Sequence, residues 1–394
     1  MAEENSLIQD ISLLNNLPKD WKVLSFSKII KDVSGGNLKT KKGDFLVSGK
    51  IKVVDQGKKL FAGFVSDDKL LVKSNLPYIV FGDHTRVIKY IDFPFAMGAD
   101  GTKILKVKSD IDSFEKYIYY FFQTLNIPNT GYNRHFKYLK DCQIPLPSLE
   151  IQKKIASILD EADKIRQLNK QLIDKYDALT QSLFLEMFGD PVLNPKGWEV
   201  KKLSEICTKI TDGTHHSPEP QNNGFPYVTA KHVKPFKLDF ESKKTFVSEQ
   251  AHNDIYRRCT PELGDVLYIK DGATTGIACI NTFDEPISML SSLALLKLSN
   301  ELNNQYLCHW LNHKGVKEKL INEFMSGAAI KRFTLKKIQS FKIILPNLKL
   351  QNEFSERVKI IENQKKQAEA SLQKSEDLFN SLLQKAFKGA LVKE

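Results

Sequence analysis

Basic, amide and imidazole side chains gather in short polar segments of this chain, beside aromatic residues. Arginine and lysine bind phosphates and guanine edges, and asparagine suits adenine. Loops on a rigid scaffold are the usual place for such residues. They could therefore bind nucleic acid. The candidates in the first half are His84, Arg86, Lys89, Asn133, Arg134, His135 and Lys137; those in the second half are His215, His216, Lys231, His232, Arg257, Arg258, Lys270, Lys331 and Arg332.

Each of these segments, taken alone, is also compatible with an ordinary solvated surface. Two features of the whole chain favour DNA. Lysine and arginine exceed aspartate and glutamate by 58 to 47, which gives a net charge of +11 and favours a polyanionic partner. The basic segments also occupy comparable positions in the two halves of the chain. Aromatic residues lie among them, with Tyr132, Phe136 and Tyr138 in the first half.

No catalytic or metal-binding signature stands out. Residues 98–103 only resemble a phosphate-binding loop, because their spacing is wrong. Asp67-Asp68-Lys69 and Glu241-Ser242-Lys243 match the end of a metal-dependent nuclease triad, as short charged segments often do by chance. His309 and His313 have metal-ligand spacing but lack a third ligand in register. We therefore expect neither catalytic residues nor a metal site, and no cofactor in this chain.

Composition narrows the class of protein further. The 394 residues are too many for one ordinary core, and 41% are hydrophobic, as in a folded chain. The five cysteines are scattered, and none forms a Cys-x-x-Cys motif, which is typical of a reduced cytoplasmic protein. The polar, acidic N-terminus and the lack of long apolar runs predict neither a secretory signal nor a membrane span.

The chain repeats itself. Residues 17–23, with Pro18 and Trp21, return as 194–200, and residues 146–152 return as 345–351. Each copy of the second motif opens a helix of about forty residues. Internal repeats of this kind indicate the order of domains in a chain, so they are considered before individual helices and strands. They predict a lead segment at 1–16, a first domain at 17–147, a helical spacer at 148–190, a second domain at 191–346 and a second helical spacer at 347–394.

Both domains begin with short strand-like runs and end with one helix and a polar loop. Residues 50–54 and 78–81 are such strand-like runs in the first domain, and 225–229 and 264–270 in the second. The spacing of aromatic residues predicts a helix over 113–125, and its counterpart is predicted over 305–324. The two domains match in layout but hardly in sequence between their anchor motifs. This pattern suggests modules that do the same kind of work on different targets.

The long helices carry heptad patterns, which are typical of coiled coils. Asn169 is a polar position in the first, compatible with a solvated irregularity or with a register-setting contact. Lys365 and Ser375 interrupt the second. The repeat predicts an α+β fold, in which two similar α/β domains are separated by a long antiparallel two-helix coiled coil with pseudo-two-fold symmetry. The predicted seam contains Ile151, Ile155, Ile158, Ala162, Ile165, Asn169, Leu172, Tyr176, Leu179 and Leu183 in the first helix, and Phe354, Val358, Ile361, Ala368, Leu372, Leu378 and Leu382 in the second.

From Leu17 to about Leu391, the chain resembles the specificity (S) subunits of type I restriction-modification systems. The resemblance rests on an ordered set of motifs that occurs in duplicate. Its elements are Pro18 and Trp21 with Pro195 and Trp198, Gly82 to Arg86 and Gly264 to Leu267 inside the domains, Gly327 and Arg332 before the second helix, and Pro147 and Gln152 with Pro346 and Gln351. The chain departs from the family where Ile151 and Leu350 precede these glutamines, since the family often has Glu there.

The resemblance implies that each domain is a target-recognition domain, which reads one half of a bipartite, asymmetric double-stranded DNA sequence. The helices would set the gap between the halves. Two methyltransferase subunits, which use S-adenosylmethionine, would bind around the helical regions. Two restriction subunits, with translocase and nuclease activity driven by ATP and Mg²⁺, would join when the enzyme restricts DNA. This chain would supply specificity without catalysis in a cytoplasmic defence and DNA-modification system.

Two other hypotheses remain at this point. The chain could be an autonomous metal-dependent nuclease, in which case the pure protein would cut DNA. It could also be a coiled-coil interaction protein whose basic charge only aids solubility. That protein would show no sequence-selective DNA binding.

Overall fold

A computed structural model describes residues 17–73, 76–131, 133–325 and 332–392. The predicted lead segment 1–16 lies outside these residues, as do the candidate Lys331, the aromatic residue Tyr132 and Gly327. The chain divides into two compact units. Unit 1 combines Met1–Gln171 with Glu369–Glu394, and unit 2 is the continuous segment Leu172–Ala368. Each unit therefore contains one domain and parts of both long helices.

Unit 1 contains a mixed α/β domain. Its helices are α1 (Phe26–Ile29), α2 (Glu115–Gln123) and α3 (Phe136–Lys140). Short 3-10 turns occur at Lys42–Asp44 and Asp68–Leu70. Its strands are β1 (Lys22–Ser25), β2 (Ile30–Asp32), β3 (Lys39–Thr40), β4 (Ile51–Val54), β5 (Gly63–Val65), β6 (Tyr78–Gly82), β7 (Ile88–Ile91), β8 (Phe95–Gly98), β9 (Thr102–Val107) and β10 (Gln143–Leu146).

Two four-stranded sheets form the framework of this domain. One has the order β2-β9-β6-β7 and is antiparallel, and the other has the order β3-β8-β4-β5. Strands β3 and β4 both run parallel to β8. All five residues of β6 are buried, as expected of a central strand. The separate pairing of β1 with β10 joins the two ends of the domain.

Unit 2 contains the second domain. Its helices are α5 (Leu203–Ile206), α6 (Glu249–Tyr256), α7 (Asn304–Asn312), α8 (Lys314–Met325) and α9 (Leu335–Gln339), with a 3-10 turn at Glu241–Lys243. Its strands are β11 (Glu199–Lys202), β12 (Cys207–Asp212), β13 (Phe225–Val228), β14 (Val233–Lys234), β15 (Lys237–Leu238), β16 (Phe246–Val247), β17 (Val266–Ile269), β18 (Ala278–Ile280), β19 (Ser288–Met289), β20 (Leu293–Leu298) and β21 (Lys342–Leu345).

The second domain repeats the plan of the first. The order β12-β20-β17-β18 corresponds to β2-β9-β6-β7, and the pairing of β11 with β21 corresponds to that of β1 with β10. Strand β13 runs parallel to β19, as β4 does to β8. The predicted likeness of layout is thus present in the strand order of the antiparallel sheet. The other sheet differs, because β16-β13-β19 has three strands and β14 pairs separately with β15.

The helix predicted over 305–324 is two helices. Helix α7 ends at Asn312 because His313 has an extended backbone conformation, with φ −62° and ψ 127°. The His313 ring stacks on Phe184, with ring centroids 6.2 Å apart. Gly315, a poor helix former, lies in the first turn of α8. The aromatic and apolar spacing was continuous across this break, so the pattern alone did not show it.

The long helices are α4 (Leu149–Phe188) and α10 (Leu348–Phe387), both of 40 residues. Within unit 1, the Arg166 guanidinium lies 4.3 Å from the centre of the Phe379 ring, and Asn169 contacts Ser375. Within unit 2, Lys365 forms an ion pair with Asp177 at 2.6 Å. Since residue numbers rise along α4 as they fall along α10 in unit 1, the helices pair antiparallel there. The predicted fold class is confirmed.

A buried glutamine fixes the start of each long helix. Gln152 donates to the carbonyls of Asp112 and Pro147, at 3.0 and 2.9 Å, and accepts from the Phe114 amide at 2.9 Å. Gln351 makes the same three kinds of bond in unit 2, to the carbonyls of Glu301 and Pro346 and from the Asn303 amide. Phe114 and Asn303 immediately precede α2 and α7. The repeated glutamine therefore ties each long helix to the late helix of its domain.

The ends of the long helices also have matching environments. In unit 1, Phe387 at the end of α10 packs on Tyr117, with ring centroids 5.1 Å apart. In unit 2, Phe188 at the end of α4 packs on Tyr306, at 4.8 Å. The hydroxyls of these tyrosines donate to backbone carbonyls of Pro145 and Ile344. Each domain core thus includes the end of one long helix and the start of the other.

The predicted seam of α4 needs a correction at alternate positions. Ile151, Ile155, Ala162 and Leu183 are buried, and Asn169 and Tyr176 are half-buried. Ile158, Ile165, Leu172 and Leu179 are instead exposed. Their neighbours occupy the more buried positions, which are Leu159, Arg166, Ile173 and Thr180. The two heptad frames overlap, since both contain Ile155, Ala162, Asn169, Tyr176 and Leu183, but the observed frame also takes in the polar residues Arg166 and Thr180. Arg166 can occupy a seam position because its guanidinium lies over the Phe379 ring.

The seam of α10 follows its predicted frame more closely. Phe354, Val358 and Ala368 are buried, and Ile361, Leu372 and Leu382 are half-buried. Leu378 is 50% exposed, and its neighbour Phe379 is buried in its place. The interrupting residues Lys365 and Ser375 also lie in this frame, where each has a polar partner on α4.

Among the residues that the structure describes, none of the helices combines the length and the apolar composition needed to cross a membrane.

Candidate nucleic-acid interface

In unit 1, several loops meet at one edge of the domain. Strands β3, β4 and β8 run parallel, so their carboxyl ends lie at the same edge. Gly82, at the end of β6, pairs with Thr102 at the start of β9 and brings the loop 83–87 to this edge. The loops 55–62 and 99–101 follow β4 and β8. Polar side chains from distant parts of the sequence are thereby placed together.

Two glycines allow these loops to pack closely, because a Cβ atom at either position would collide with a neighbouring loop. A Cβ atom on Gly82 would lie 2.9 Å from the Gln56 Cβ, and one on Gly101 would lie 2.7 Å from the His84 ring. Gly101 also has φ +69°, which disfavours other residues. The His84 amide donates to Gln56 Oε1 at 3.1 Å. The Thr85 hydroxyl donates to the Gln56 carbonyl at 2.5 Å. Gln56 therefore holds the loop 83–87 in place.

The loop before α3 is fastened to the same place. The Asp83 carbonyl accepts from the His135 amide at 2.8 Å, and the Asp83 carboxylate accepts from the Phe136 amide at 2.8 Å. A nitrogen of the His84 ring lies 3.3 Å from the Asn133 carbonyl. The structure thus brings together the two basic segments of the first domain that contain His84 and Arg134. Asn133, Arg134 and Lys137 are exposed there.

Lys89, His135 and Arg86 of the first domain bond to other parts of the same domain. The Lys89 ammonium is buried, donates to the Asp55 carbonyl at 2.7 Å and lies 3.6 Å from the Asp55 carboxylate. Burial lowers the pKa of Lys89, while Asp55 opposes that shift. His135 is fully buried, with a ring nitrogen 2.9 Å from the Asp83 carbonyl. Arg86, half-buried with φ +62°, donates to the Ile127 carbonyl at 3.0 Å. These residues position the loops.

In unit 2, a buried carboxylate organises the basic residues. The Asp212 side chain is 4% exposed and lies at the end of β12. Its oxygens accept from Arg258 at 2.6 Å and lie 3.2 Å from the Lys270 ammonium and 3.7 Å from a His215 ring nitrogen. A buried carboxylate is stable only with such partners. Lys270 is buried, while Arg258 and His215 are exposed around it.

A second buried histidine shapes the turn that follows β13. The unprotonated Nδ1 of His232 accepts from the Thr229 amide at 3.0 Å, so the ring proton is on Nε2, which lies 2.9 Å from the Lys243 carbonyl. Burial lowers the pKa of His232, which favours this neutral form. Lys231 is exposed in the same turn, and its ammonium donates to the Thr245 hydroxyl at 2.5 Å.

The loop before α9 corresponds to the loop before α3. Arg332 is exposed and pairs through its backbone with Asp271, and the Phe333 amide donates to the Lys270 carbonyl at 2.8 Å. In the first domain, Asp83 makes the corresponding contacts, since it accepts hydrogen bonds from the His135 and Phe136 amides. His216 is exposed near Asp212, and Arg257 is exposed and forms an ion pair with Asp254. Lys331 lies outside the described residues.

Two positioning residues, Asp55 and Gln56, are not recognisable from the sequence. Their partners, Lys89, His84 and Thr85, are about thirty residues away in sequence, so no local pattern marks them. The burial of Asp212 beneath Arg258, Lys270 and His215 follows from the tertiary structure. The exposed candidates are Asn133, Arg134, Lys137, His215, His216, Lys231, Arg257, Arg258 and Arg332; the half-buried ones are His84 and Arg86; and the buried ones are Lys89, His135, His232 and Lys270.

His309 and His313, the pair with metal-ligand spacing, lie away from these loops and pack among aromatic side chains. The His309 ring stacks on Phe236, with centroids 4.4 Å apart, and its edge contacts Phe354. Burial lowers the pKa of His309 to about 3 and lowers that of His313 as well. Within the described residues, no group of three or more histidine, cysteine, aspartate or glutamate side chains could hold a metal ion.

Comparisons of this chain with family models and with curated proteins agree on one family. The family model of the type I restriction modification DNA specificity domain matches residues 18–176 and 195–374, one match for each domain. Among curated proteins, the specificity subunit of type I restriction enzyme EcoR124I/EcoR124II from Escherichia coli is 22% identical over 362 residues, covering 87% of each chain. The MjaIX specificity subunit of Methanocaldococcus jannaschii is 27% identical over 252 residues, which cover 58% of this chain and 56% of the relative.

Solved structures show the same fold. The S subunit of a type I restriction-modification system from M. genitalium has a TM-score of 0.56 and 18% identity, covering 94% of this chain and 96% of its own. A chain from a study of complex assembly in the type I system has a TM-score of 0.53 and 16% identity, covering 95% and 99%. With the family model matched across both domains, this chain belongs to the specificity-subunit family of type I restriction-modification systems.

Proposed function

We propose that this chain is a non-catalytic DNA-recognition subunit, in which each domain reads one half of a bipartite, asymmetric DNA target. One observation carries the proposal. In both domains an antiparallel four-stranded sheet of the same strand order supports the candidate segments, yet these segments present different exposed basic and amide residues. A common scaffold with unlike reading loops suits two unlike half-sites.

The exposed residues are the proposed DNA contacts. Arg134, Asn133 and Lys137 would serve the first domain, and Arg332, Lys231, Arg258, Arg257, His215 and His216 the second. Arginine and asparagine can pair with guanine and adenine edges, and lysine with phosphates. The buried Lys89, His135, His232 and Lys270 would act by holding the loops in position, and His84 and Arg86 would do both.

The long helices would set the gap between the half-sites and bind the partner subunits. Apolar residues of α4 are exposed in each unit, with Ile158, Ile165 and Leu168 in unit 1 and Leu172 and Leu179 in unit 2. Exposed apolar helix surface of this kind is typical of protein interfaces. The proposed partners are two methyltransferase subunits, with S-adenosylmethionine, and two ATP- and Mg²⁺-dependent restriction subunits. Cytoplasmic action follows from these partners.

Methylome sequencing tests the proposal. A methylation-free host would express this chain together with the methyltransferase encoded beside it, and a second strain would express that methyltransferase alone. A split, asymmetric methylated motif that appears only with this chain is the expected result. Unmethylated DNA, with the complex assembled and S-adenosylmethionine present, would contradict the proposal.

The gap is tested by insertion. One heptad would be added after Gln171 in α4 and one after Ala368 in α10, where the two compact units meet along the chain. Seven helical residues add about 10 Å, or roughly three base pairs. The preferred gap should lengthen by about that amount while both half-sites stay the same. Altered half-sites would contradict the role of the helices as a spacer.

A further inference from the structure

The hairpin between β4 and β5 presents two lysines that the basic segments above do not include. Lys58, Lys59 and Leu60 at its tip are all exposed. Neither lysine forms an ion pair within the described part of the chain. Nearby lysines differ, because Lys50 forms an ion pair with Asp68 at 2.7 Å, and the Lys52 ammonium lies 4.5 Å from the centre of the Phe93 ring. The charge at the hairpin tip is thus not compensated within the protein.

The base of this hairpin is held firmly. Lys89 donates to the Asp55 carbonyl, and the Asp55 carboxylate accepts from the Gly57 amide at 2.9 Å. Gln56 bonds to His84 and Thr85, as described above. The far side is held by Phe61, whose ring packs edge-on against Phe64 at 5.3 Å. The two lysines are therefore presented from a fixed base beside the loop 83–87.

The second domain has a counterpart at the same topological position. Strand β13 corresponds to β4, since β13 is parallel to β19 as β4 is to β8. The turn after β13 also carries an exposed lysine, Lys231, and is also held by a buried side chain, His232. The pair Lys58–Lys59 thus occupies in the first domain the place that Lys231 occupies in the second.

We infer that Lys58 and Lys59 bind backbone phosphates of the DNA at the first half-site. This inference rests on the proposed function and extends its contact surface to the β4–β5 hairpin. Lysine is a point charge on a flexible stem, suited to phosphate rather than to a particular base. The two residues would therefore add affinity and orientation, while Arg134 and Asn133 would read the sequence.

The test uses the complex of this chain with its methyltransferase and a labelled duplex that contains the methylated motif. Lys58→Ala/Lys59→Ala is compared with Lys28→Ala/Lys31→Ala. The control lysines are exposed and lie at the opposite end of the antiparallel sheet, near the pairing of Ile30 with Val107. Both variants lose the same charge. Dissociation constants are measured from 50 to 200 mM salt, for cognate and non-cognate duplexes.

Each phosphate contact contributes about 0.9 to the slope of log affinity against log salt. The hairpin variant should lower that slope by about 1.8, weaken cognate and non-cognate binding alike, and leave the methylated motif unchanged. The control should keep the wild-type slope. A hairpin variant that matches the control would overturn the inference, and so would one that changes the motif.

Chemical acetylation of lysines in the wild-type complex, with and without DNA, is a second and independent test. Bound DNA should protect Lys58 and Lys59 from acetylation and leave Lys28 and Lys31 reactive. Equal reactivity with and without DNA would contradict the inference even where a variant folded poorly. A wild-type complex that does not bind its motif selectively would instead contradict the proposed function, so the two failures are distinguishable.

Discussion

Asn169 on α4 donates a hydrogen bond from Nδ2 to the hydroxyl of Ser375 on α10, at 3.3 Å. Ser375 in turn donates to the Leu372 carbonyl at 2.8 Å. These residues are polar positions in the heptad patterns of the two helices, and unit 1 places them opposite each other. Next to them, Lys170 forms an ion pair with Glu376 at 3.4 Å. The register-setting interpretation of Asn169 therefore has a partner residue.

Replacing this polar pair should make unit 1 more stable and its helix register less specific. A polar pair in a coiled-coil seam fixes the alignment at a cost in stability. Asn169→Leu/Ser375→Leu should raise the free energy of unfolding by about 1–2 kcal/mol. Gln171→Leu, at an exposed position of α4, is the control and should change it little. Thermal unfolding gives the stability, and hydrogen exchange along α10 gives the register. A destabilised double variant would count against this interpretation.

The equivalent glutamines should have equivalent energetic effects. Gln152→Ala leaves two carbonyls and the Phe114 amide without their partner, and Gln351→Ala does the same around Asn303. Unsatisfied buried groups cost about 1–3 kcal/mol each before relaxation, so we expect losses of roughly 2–4 kcal/mol in the affected unit.

Hydrogen exchange of α2 and α7 would measure the two losses separately. Gln152→Ala should speed exchange in α2 only, and Gln351→Ala in α7 only. Gln167→Ala and Gln364→Ala, at exposed positions of α4 and α10, are the matched controls. A large effect in one unit and none in the other would show that the repeat is not energetically equivalent.

Arginines from the two domains should affect different half-sites. Arg134→Ala should relax or weaken reading of one half-site, and Arg332→Ala that of the other, because the two residues lie on corresponding loops of separate domains. Loss of one base contact costs about 1–3 kcal/mol of discrimination. Arg357→Ala, on an exposed part of α10, is the control. The measurement is methylation of duplexes with single substitutions in each half-site. Equal effects on both halves would rule out modular reading.

Acid should destabilise unit 2 through His309. Its folded-state pKa of about 3 lies below the ordinary value near 6.5, so only the unfolded chain takes up a proton at intermediate pH. The stabilising contribution is complete above pH 6.5 and is lost as the pH falls towards 3. Between pH 7 and pH 5, the free energy of unfolding should fall by about 2 kcal/mol on account of this residue.

His309→Phe keeps an aromatic ring between Phe236 and Phe354 and should remove that part of the pH dependence. His232, His252 and His313, whose pKa values are also lowered by burial, would leave a remaining contribution of the same sign. In a Trp21→Phe background, fluorescence reports unfolding of unit 2 through Trp198 and Trp310. Identical slopes with and without the His309→Phe substitution would show that His309 is not the sensitive group.

The repeat predicted the order of domains and helices because its residues have local structural roles. Trp198 donates from its ring to the Phe188 carbonyl at 2.8 Å, so it fastens the end of α4 to the start of the second domain. Gln152 and Gln351 fasten the helix starts. Such contacts join residues that are close in sequence or occur in duplicate, and they leave a visible motif.

The finer predictions depended on partners that are distant in sequence. The heptad pattern of α4 could not distinguish Ile158 from Leu159, because the choice depends on which face meets the domain core. Likewise, Lys89 and Lys270 look like surface lysines until Asp55 and Asp212 are found beside them. Composition could show that basic residues were abundant, but only the tertiary structure separated those that face outward from those that hold loops.

The division of the chain into units has a consequence for protein synthesis. Unit 2 is continuous, whereas the core of unit 1 requires Phe379, Leu383 and Phe387 from the distant end of the chain. Ribosomes deliver the N-terminal domain first, but its aromatic face at Tyr117 and Phe121 stays uncovered until Phe387 emerges. The domain that is made first is therefore the one whose core is completed last, and its aromatic face stays exposed to solvent for as long as unit 2 is being translated.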